Sequence, residues 1–121
     1  MTIEIYGPVN PTLGRTMLSA FINANANGDN AFVANVAGKL VHIVYLSVFC
    51  EEAVNVTLHE TDGSTARSEV FKFADATGIA KGSTAPGSAP IYSSVTSGKG
   101  IDVHVSSASK DVGVSCVYYT E

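Results

Sequence analysis

The segment that most constrains the fold runs from Lys39 to Glu60, KLVHIVYLSVFCEEAVNVTLHE. Its first half, Leu40 to Cys50, is apolar at both alternating sets of positions, a pattern typical of a β-strand covered on both faces. Its second half, Val54 to Glu60, alternates between apolar and polar residues, as a strand with one solvated face does. The two halves predict neighbouring strands in the middle of an antiparallel sheet that a second sheet closes. A further surface, such as a second copy of the protein, is expected to cover the first half as well.

Turn signals separate further strand-like segments along the chain. The pair Asp62-Gly63 predicts a hairpin turn. The segment Arg15 to Ala24 has helix propensity as well as the Phe-Ile content of a strand, and we favour a strand. The segment from Ala74 to Ala89 is rich in Gly, Ala, Ser, Thr and Pro, which predicts a long loop. The remaining predicted strands are Thr2–Tyr6, Asn30–Ala37, Glu69–Phe73, Pro90–Val95, Ile101–Val105 and Val112–Thr120.

This order of segments indicates an all-β fold. About eight strands, with turns about every eight to twelve residues, are typical of an antiparallel two-sheet β-sandwich, and we favour a jelly-roll-like one. With 121 residues, the chain is expected to form a single β-sandwich domain over residues 15–121, with a core that needs no disulfide. Residues 1–14 are predicted to form an N-terminal strand and arm, because Gly7-Pro8 and Pro11 disfavour a central strand position. The arm either packs on a neighbouring molecule or adds an edge strand to the same domain.

Composition and charge argue against several classes of function. The formal net charge is −4 and Lys and Arg do not cluster, so the positive surface that nucleic-acid binding requires is not expected. The longest apolar run is too short to span a bilayer, and the N-terminal sequence does not resemble a signal peptide, so we expect synthesis in a cytoplasm and no membrane partner. Charged residues make up only 15% of the chain. A surface rich in small uncharged residues suits close packing against protein.

The three histidines are the natural candidates for catalysis or metal binding. His59 and His104 are predicted on the outward faces of two different strands, and Asp102 shares a face with His104. A surface His/His/Asp cluster is therefore geometrically allowed if those strands are neighbours. We nevertheless favour solvated or interface histidines and predict no metal and no cofactor. His42 is expected to be hydrogen-bonded at a strand end or at a subunit interface.

Other reactive side chains also lack the arrangement that catalysis needs. No G-x-S-x-G motif is present, and the adjacent Glu51 and Glu52 point to opposite sides of a strand corner, so they cannot face each other across a cleft. Cys50 and Cys116 are interpreted as buried reduced thiols, with an inter-strand disulfide as the alternative in an oxidising environment. We therefore predict no catalytic residue and a protein that is not an enzyme.

The order of the segments resembles that of capsid decoration (cement) proteins of tailed bacteriophages, which are small β-sandwich virion proteins. The resemblance covers about residues 28–121 and rests on the strand rhythm, on the turn S-G-K-G-I at Ser97–Ile101 and on the final strand V-G-V-S-C-V-Y-Y at Val112–Tyr119. It implies a protein without an active site that binds the outer surface of an icosahedral shell, commonly as a homotrimer. The implied partners are the major capsid protein and further copies of the chain, and the implied location is the outer capsid surface of the virion after synthesis in the host cytoplasm.

The resemblance also implies which surfaces make contact. The N-terminal arm and the loop from Ala74 to Ala89 would contact the capsid or a neighbouring trimer, and the second face of the central strand would lie at the trimer axis. The predicted capsid or neighbour contacts are Ile3, Ile5, Tyr6, Pro8, Val9, Pro11, Ile79, Lys81 and Pro86. The predicted subunit interface is Val41, Ile43, Tyr45, Phe49 and Tyr119.

Three alternatives stay open. The first is another phage virion module on the same fold, such as a head fibre base, a tail protein or a receptor-binding module. The second is a carbohydrate-binding module, for which an exposed aromatic patch including Tyr45 and Phe49 would be suitable, although the chain has no Trp. The third is a jelly-roll enzyme of the cupin type, for which the three histidines do not have the required spacing.

Overall fold

The computed structural model describes residues 16–85, 87–106 and 111–121, and these form two antiparallel β-sheets. Sheet A has the strand order β1-β9-β3-β6, with β7 also paired to β3, and sheet B has the order β2-β8-β4-β5. The prediction of an all-β, two-sheet sandwich is confirmed. The strands are β1 (Leu18–Ala24), β2 (Gly28–Val33), β3 (Val41–Cys50), β4 (Val54–Glu60), β5 (Phe71–Phe73), β6 (Thr77–Gly82), β7 (Tyr92–Ser93), β8 (Ile101–Ser106) and β9 (Val112–Thr120).

The strand pairing is that of one long antiparallel ribbon rolled into a sandwich. The innermost pair of the ribbon is β4 with β5, followed by β3 with β6 and β7, then β2 with β8, and finally β1 with β9. Rolling the ribbon adds the pairs β3 with β9 and β4 with β8. This arrangement is a jelly roll, in which the chain crosses from one sheet to the other between most successive strands. The two exceptions are the connections from β4 to β5 and from β6 to β7, which stay within one sheet.

The core lies between the inner faces of the two sheets and consists mainly of Val, Ile and Leu, with two Phe, two Cys and one Ala. Strands expose alternate residues to opposite faces, and β-branched side chains fit a pleated surface well. The fully alternating segments of the sequence therefore supply the largest part of the core. Those residues are Val54, Val56 and Leu58 on β4, Ile101, Val103 and Val105 on β8, and Val112, Val114 and Cys116 on β9.

A β-bulge explains why β3 is apolar at both alternating sets of positions. In the pairing with β9, Ile43 and Tyr45 lie opposite consecutive residues, so Val44 is an extra residue. The bulge reverses the alternation, so the core residues of β3 have odd numbers before it and even numbers after it. Within the chain the outer side of the second half of β3 is open, because Phe49 is 64% exposed, and its cover by a second copy of the protein stays a prediction. The core residues of β3 are Val41 and Ile43 before the bulge and Leu46, Val48 and Cys50 after it.

Strand β6 lies inside the segment from Ala74 to Ala89, where the sequence predicts a loop, so that prediction is wrong over Thr77–Gly82. The small residues of β6 have little β-propensity of their own, and the strand exists because it pairs with the second half of β3. A Cβ atom at Gly78 would overlap the ring of Phe49. The aromatic ring therefore lies over a glycine of the edge strand, an arrangement that protects the glycine from solvent.

The other predicted strands that fall within the described residues are present, and most have shifted ends. The strand interpretation of Arg15–Ala24 is confirmed over Leu18–Ala24, whereas Thr2–Tyr6 and the rest of the predicted arm lie outside the described residues. Larger differences occur at β2, which is Gly28–Val33 instead of Asn30–Ala37, at β5, which is Phe71–Phe73 instead of Glu69–Phe73, and at β7, which is Tyr92–Ser93 instead of Pro90–Val95.

The two cysteines are free and buried. Cys50 is paired with Val112, and Cys116 is paired with Leu46, so the two cysteines are four residues apart along adjacent strands. That spacing corresponds to about 13 Å, whereas a disulfide requires Cα atoms within about 7 Å. The interpretation of both as reduced thiols is confirmed, and burial raises the pKa of the Cys116 thiol to about 12.

The contact between β6 and the bulge predicts an unequal effect of two glycine substitutions. Gly82 has φ +89° and a Cβ there would overlap the carbonyl oxygen of Val44, whereas Gly38 has φ +73° and nothing within 4 Å. We expect Gly38→Ala to lower the free energy of unfolding by about 1–2 kcal/mol, from backbone strain alone. We expect Gly82→Ala to cost about 3–4 kcal/mol, because the clash adds to the strain. Urea denaturation measures both, and equal losses would show that the bulge does not constrain the edge strand.

Candidate functional site

The outer face of sheet A carries three rows of side chains across four strands. Residues directly opposite each other on antiparallel neighbours point to the same side of the sheet. From β1 through β9 and β3 to β6, the rows are Ser19, Val117, Tyr45 and Gly82; then Phe21, Ser115, Ser47 and Ala80; then Asn23, Gly113, Phe49 and Gly78. None of these residues is charged. We call this set the uncharged face.

Two phenylalanine rings project from the uncharged face. Phe21 is 69% exposed and Phe49 is 64% exposed, and strand and residue spacings place their Cα atoms about 12 Å apart. Between them, the hydroxyl groups of Ser47 and Ser115 form a hydrogen bond of 2.6 Å. The neighbouring side chains are small, so the rings stand above a flat floor. Exposed apolar patches of this kind mark interaction surfaces more often than single scattered apolar residues do.

His42 lies on the same side of sheet A, near the start of β3, and contacts β7. Its Nδ1 atom lies 2.8 Å from the hydroxyl oxygen of Ser93, and its ring centroid lies 5.0 Å from that of Tyr119. The hydrogen bond attaches the short strand β7 to β3, where His42 and Ser93 are register partners. The prediction of a hydrogen-bonded histidine at a strand end is confirmed.

The outer face of sheet B has the opposite character. Because β2, β8, β4 and β5 are neighbours, their outward residues meet on one surface. Asp102 is buried on this face and accepts a hydrogen bond of 3.1 Å from the Thr61 hydroxyl, and burial raises the pKa of its carboxyl group. The titratable residues on this face are Asp29, His59, Lys72, Asp102 and His104.

Two of the three histidines meet on the outer face of sheet B. The rings of His59 and His104 stack with centroids 4.5 Å apart. Nδ1 of His104 lies 2.8 Å from Oδ1 of Asp29, and Nδ1 of His59 lies 3.4 Å from the same oxygen. The sequence allowed a cluster of these histidines with Asp102, but the carboxylate that contacts both rings is that of Asp29. Sequence reasoning missed Asp29 because its place depends on the register of β2 against β8.

A third polar cluster connects the edge of sheet A to the segment before β5. The carboxylate of Glu69 accepts hydrogen bonds from Lys81 Nζ at 2.5 Å and from the Tyr92 hydroxyl at 2.6 Å. These hydrogen bonds, that of Lys81 first, hold the pKa of Glu69 at about 2. Lys81 Nζ also lies 5.9 Å from the ring centroid of Phe71. The cluster keeps β6 and β7 at the same edge of the sandwich.

The predicted capsid or neighbour contacts are only partly described. Ile79 is partly buried against the core, and Lys81 is exposed on β6 and bonded to Glu69. The remaining members of this set lie outside the described residues, and they are Ile3, Ile5, Tyr6, Pro8, Val9, Pro11 and Pro86.

The predicted subunit interface is divided by the bulge. Val41 and Ile43 face the core and Tyr119 is buried, so these three do not present a free surface. Tyr45 is half-buried and Phe49 is exposed, and both lie on the uncharged face. Phe21 was missed, although it occupies a position that polar residues otherwise hold in the alternation of β1. An aromatic residue in a solvated position was the available signal.

No family model matches the chain, and no curated protein or solved structure is significantly similar to it. Within residues 16–85, 87–106 and 111–121, no helix is long and apolar enough to cross a membrane. Functional inference therefore starts from the two outer faces.

The Glu69 cluster predicts a pH-dependent stability difference. The pKa of Glu69 is lowered from 4.5 to about 2 in the folded chain, so its contribution is present above pH 4.5 and disappears as the pH falls towards 2. We expect Glu69→Gln to lower Tm by about 1–3 °C at pH 6, a small change because the pair is exposed and screened. The difference from the unsubstituted protein should vanish near pH 2.

Thermal unfolding at a series of pH values measures this effect. Glu51→Gln, which removes an exposed carboxylate at the corner between β3 and β4, is the matched control and should give no comparable pH-dependent difference. A Tm difference for Glu69→Gln that stays constant from pH 6 to pH 2 would contradict the assignment of the stabilisation to the ionised carboxylate.

Proposed function

We propose that the protein is a non-enzymatic structural subunit of a phage virion, a decoration protein that binds the outer surface of an icosahedral capsid through the uncharged face. The proposal rests on the contrast between the two outer faces of the sandwich. One face presents neutral residues with two exposed phenylalanines, Phe21 and Phe49, and the other is polar and titratable. The centre of a protein interface is depleted in charge and enriched in aromatic residues, and the uncharged face shares these two features.

The free-energy penalty for covering the uncharged face with a partner is small. A partner that covers it removes no charged group from water, so the desolvation penalty is small. Most of its side chains are Gly, Ala, Ser or Asn, which lose little conformational entropy on contact. The two rings supply most of the apolar area, as aromatic anchors do in other interfaces. A neutral capsid surface with recesses for the two rings is the complementary partner.

Three carboxylates in the described part of the chain stabilise the architecture. Oε2 of Glu60 accepts hydrogen bonds from the backbone N–H groups of Val95 and Thr96, at 2.5 and 2.7 Å, and Glu69 and Asp102 bond to neighbouring side chains. These contacts favour a structural role. Association as a homotrimer would multiply modest contacts through effective concentration and match a three-fold position on the shell.

A second candidate is a receptor- or carbohydrate-binding virion module. The observation that favours it is the ring of Phe49, which contacts Gly78 through Cδ1 and Cε1 and is 64% exposed. Exposed aromatic rings stack against the apolar faces of sugars as well as against proteins. The two functions use the same face and differ in the partner.

Co-sedimentation with emptied phage heads that lack decoration protein tests the proposal, together with light scattering of the free protein. We expect a trimer that co-sediments with heads, and at least a ten-fold weaker association for the double variant Phe21→Ser and Phe49→Ser. Val95→Ser is the matched control, because Val95 is as exposed as Phe49 but lies in a loop off the uncharged face. Each single substitution should lower the unfolding free energy by about 1 kcal/mol or less, the span of strand propensity at one position, and the double variant by about 2 kcal/mol or less.

Three outcomes would contradict the proposal. Unchanged binding of the double variant to heads would show that the uncharged face does not contact the capsid. Equal loss for Val95→Ser would show that the effect is not local. A monomer that ignores heads but binds in a glycan panel would establish the carbohydrate-binding alternative. The substitution of Ile3, Ile5 and Tyr6 by Ala tests the predicted arm separately, and unchanged head occupancy would exclude the arm.

A further inference from the structure

We propose that Asp29, His59 and His104 form a binding site for a divalent transition-metal ion on the outer face of sheet B. One ligand atom from each residue lies within 4.8 Å of the other two. Two imidazole nitrogens with one carboxylate oxygen form a donor set that Zn²⁺, Ni²⁺ and Cu²⁺ accept, whereas Ca²⁺ and Mg²⁺ prefer oxygen ligands alone. The site is independent of the uncharged face and does not rest on the proposed capsid function.

The distances within the cluster suit a shared ion. Metal–ligand bonds of about 2.0–2.1 Å place adjacent ligand atoms about 2.9 Å apart in an octahedral shell and about 3.4 Å apart in a tetrahedral one. The Oδ1 atom of Asp29 lies 2.8 Å from Nδ1 of His104 and 3.4 Å from Nδ1 of His59. Two of the three ligand separations therefore match those of metal sites. The two imidazole rings are stacked with 22° between their planes, so the partly exposed His104 ring must turn out of this stack for both nitrogens to point at one ion.

The strand register holds the three residues in place. Asp29 on β2 lies directly opposite His104 on β8. His104 in turn lies opposite Thr57, and His59 follows two residues later on β4, so the two histidines are diagonal neighbours. Diagonal pairs on one face of a sheet are within reach of aromatic side chains. Ligands that stand on three hydrogen-bonded strands are better preorganised than ligands on loops.

The site is open to solvent on one side. The side chain of His59 is 13% exposed, while those of His104 and Asp29 are 38% and 39% exposed. An ion can enter from solvent and keep water molecules in its remaining coordination positions, as ions with three protein ligands commonly do. Asp102, the register partner of His59, supplies a further carboxylate next to the site. The local excess of acidic oxygen favours a cation over an anion.

A bound ion would connect the edge strand β2 to the two central strands of sheet B. Because the unfolded chain does not hold the three ligands together, an ion that binds the folded form raises Tm according to its concentration and affinity. We expect a rise of about 5 °C or more at ion concentrations about 100-fold above Kd. The increase should be absent with Ca²⁺ or Mg²⁺ at the same concentration.

Isothermal titration of the tag-free, EDTA-treated full chain with Zn²⁺ and with Ni²⁺ tests the site, and Co²⁺ absorption reports the coordination geometry. We expect one ion per chain with a micromolar Kd, and at least ten-fold weaker binding for Asp29→Asn, His59→Gln and His104→Gln. The matched control is His42→Gln, because His42 lies on sheet A and bonds to Ser93. It should bind as the unsubstituted protein does.

Measurements in EDTA separate loss of the site from loss of the fold. Asp29→Asn and His104→Gln alter partly exposed side chains, so their urea midpoints without metal should match that of the unsubstituted protein, even if His59→Gln is destabilised. Absence of measurable binding to the unsubstituted protein would overturn the proposal. Binding that survives Asp29→Asn and His104→Gln, or that is lost equally in His42→Gln, would overturn it too. Displacement of Zn²⁺ by an equal concentration of Ca²⁺ would contradict the proposed donor set.

Discussion

The β-bulge at Val44 is the constraint on which the arrangement of sheet A depends. An extra residue in β3 reverses which alternate side chains point inward. Both halves of the strand therefore bury their apolar side chains in the same core. The bulge also determines how the edge of the sheet is made. The carbonyl oxygens of Ile43 and Val44 accept hydrogen bonds from the N–H groups of Ile91 and Ser83, at 2.7 and 3.0 Å. Strand β6 therefore ends, and the approach to β7 begins, where β3 changes direction.

This constraint has a consequence for the surface. If β3 continued without a bulge, the apolar residues of one half would have to face solvent, and the outer side of sheet A would need a second cover. With the bulge, only Phe49 and part of Tyr45 remain outside, above a floor of small neutral side chains. Sheet B has no comparable interruption along β4, and its outward positions are polar. The bulge therefore determines which side chains of β3 contribute to the uncharged face, and the small neutral residues of β1, β9 and β6 supply the rest.

The sequence predicted those parts of the fold that depend on local alternation. The strict period of two in β4 and β8 identified Val56, Leu58 and Val103 as core residues, and the Asp62-Gly63 turn identified the hairpin that follows β4. Features that depend on distant pairing were not predictable in the same way. The bulge does not change the composition of β3, and β6 becomes a strand only through its pairing with β3. The position of Asp29 beside two histidines requires the register of β2 against β8, which no local pattern encodes.

The strand order also determines the stage of folding at which the uncharged face forms. Each of its rows takes one residue from near the start of the described chain, two from its middle and one from its end, as in the row of Phe21, Ala80, Ser47 and Ser115. Strand β9 lies between β1 and β3, so the row is interrupted until the last strand has been inserted. The uncharged face therefore does not exist before β9 is in place. Any association that uses it is restricted to molecules in which this sheet is fully formed, which keeps assembly from competing with folding of the sheet.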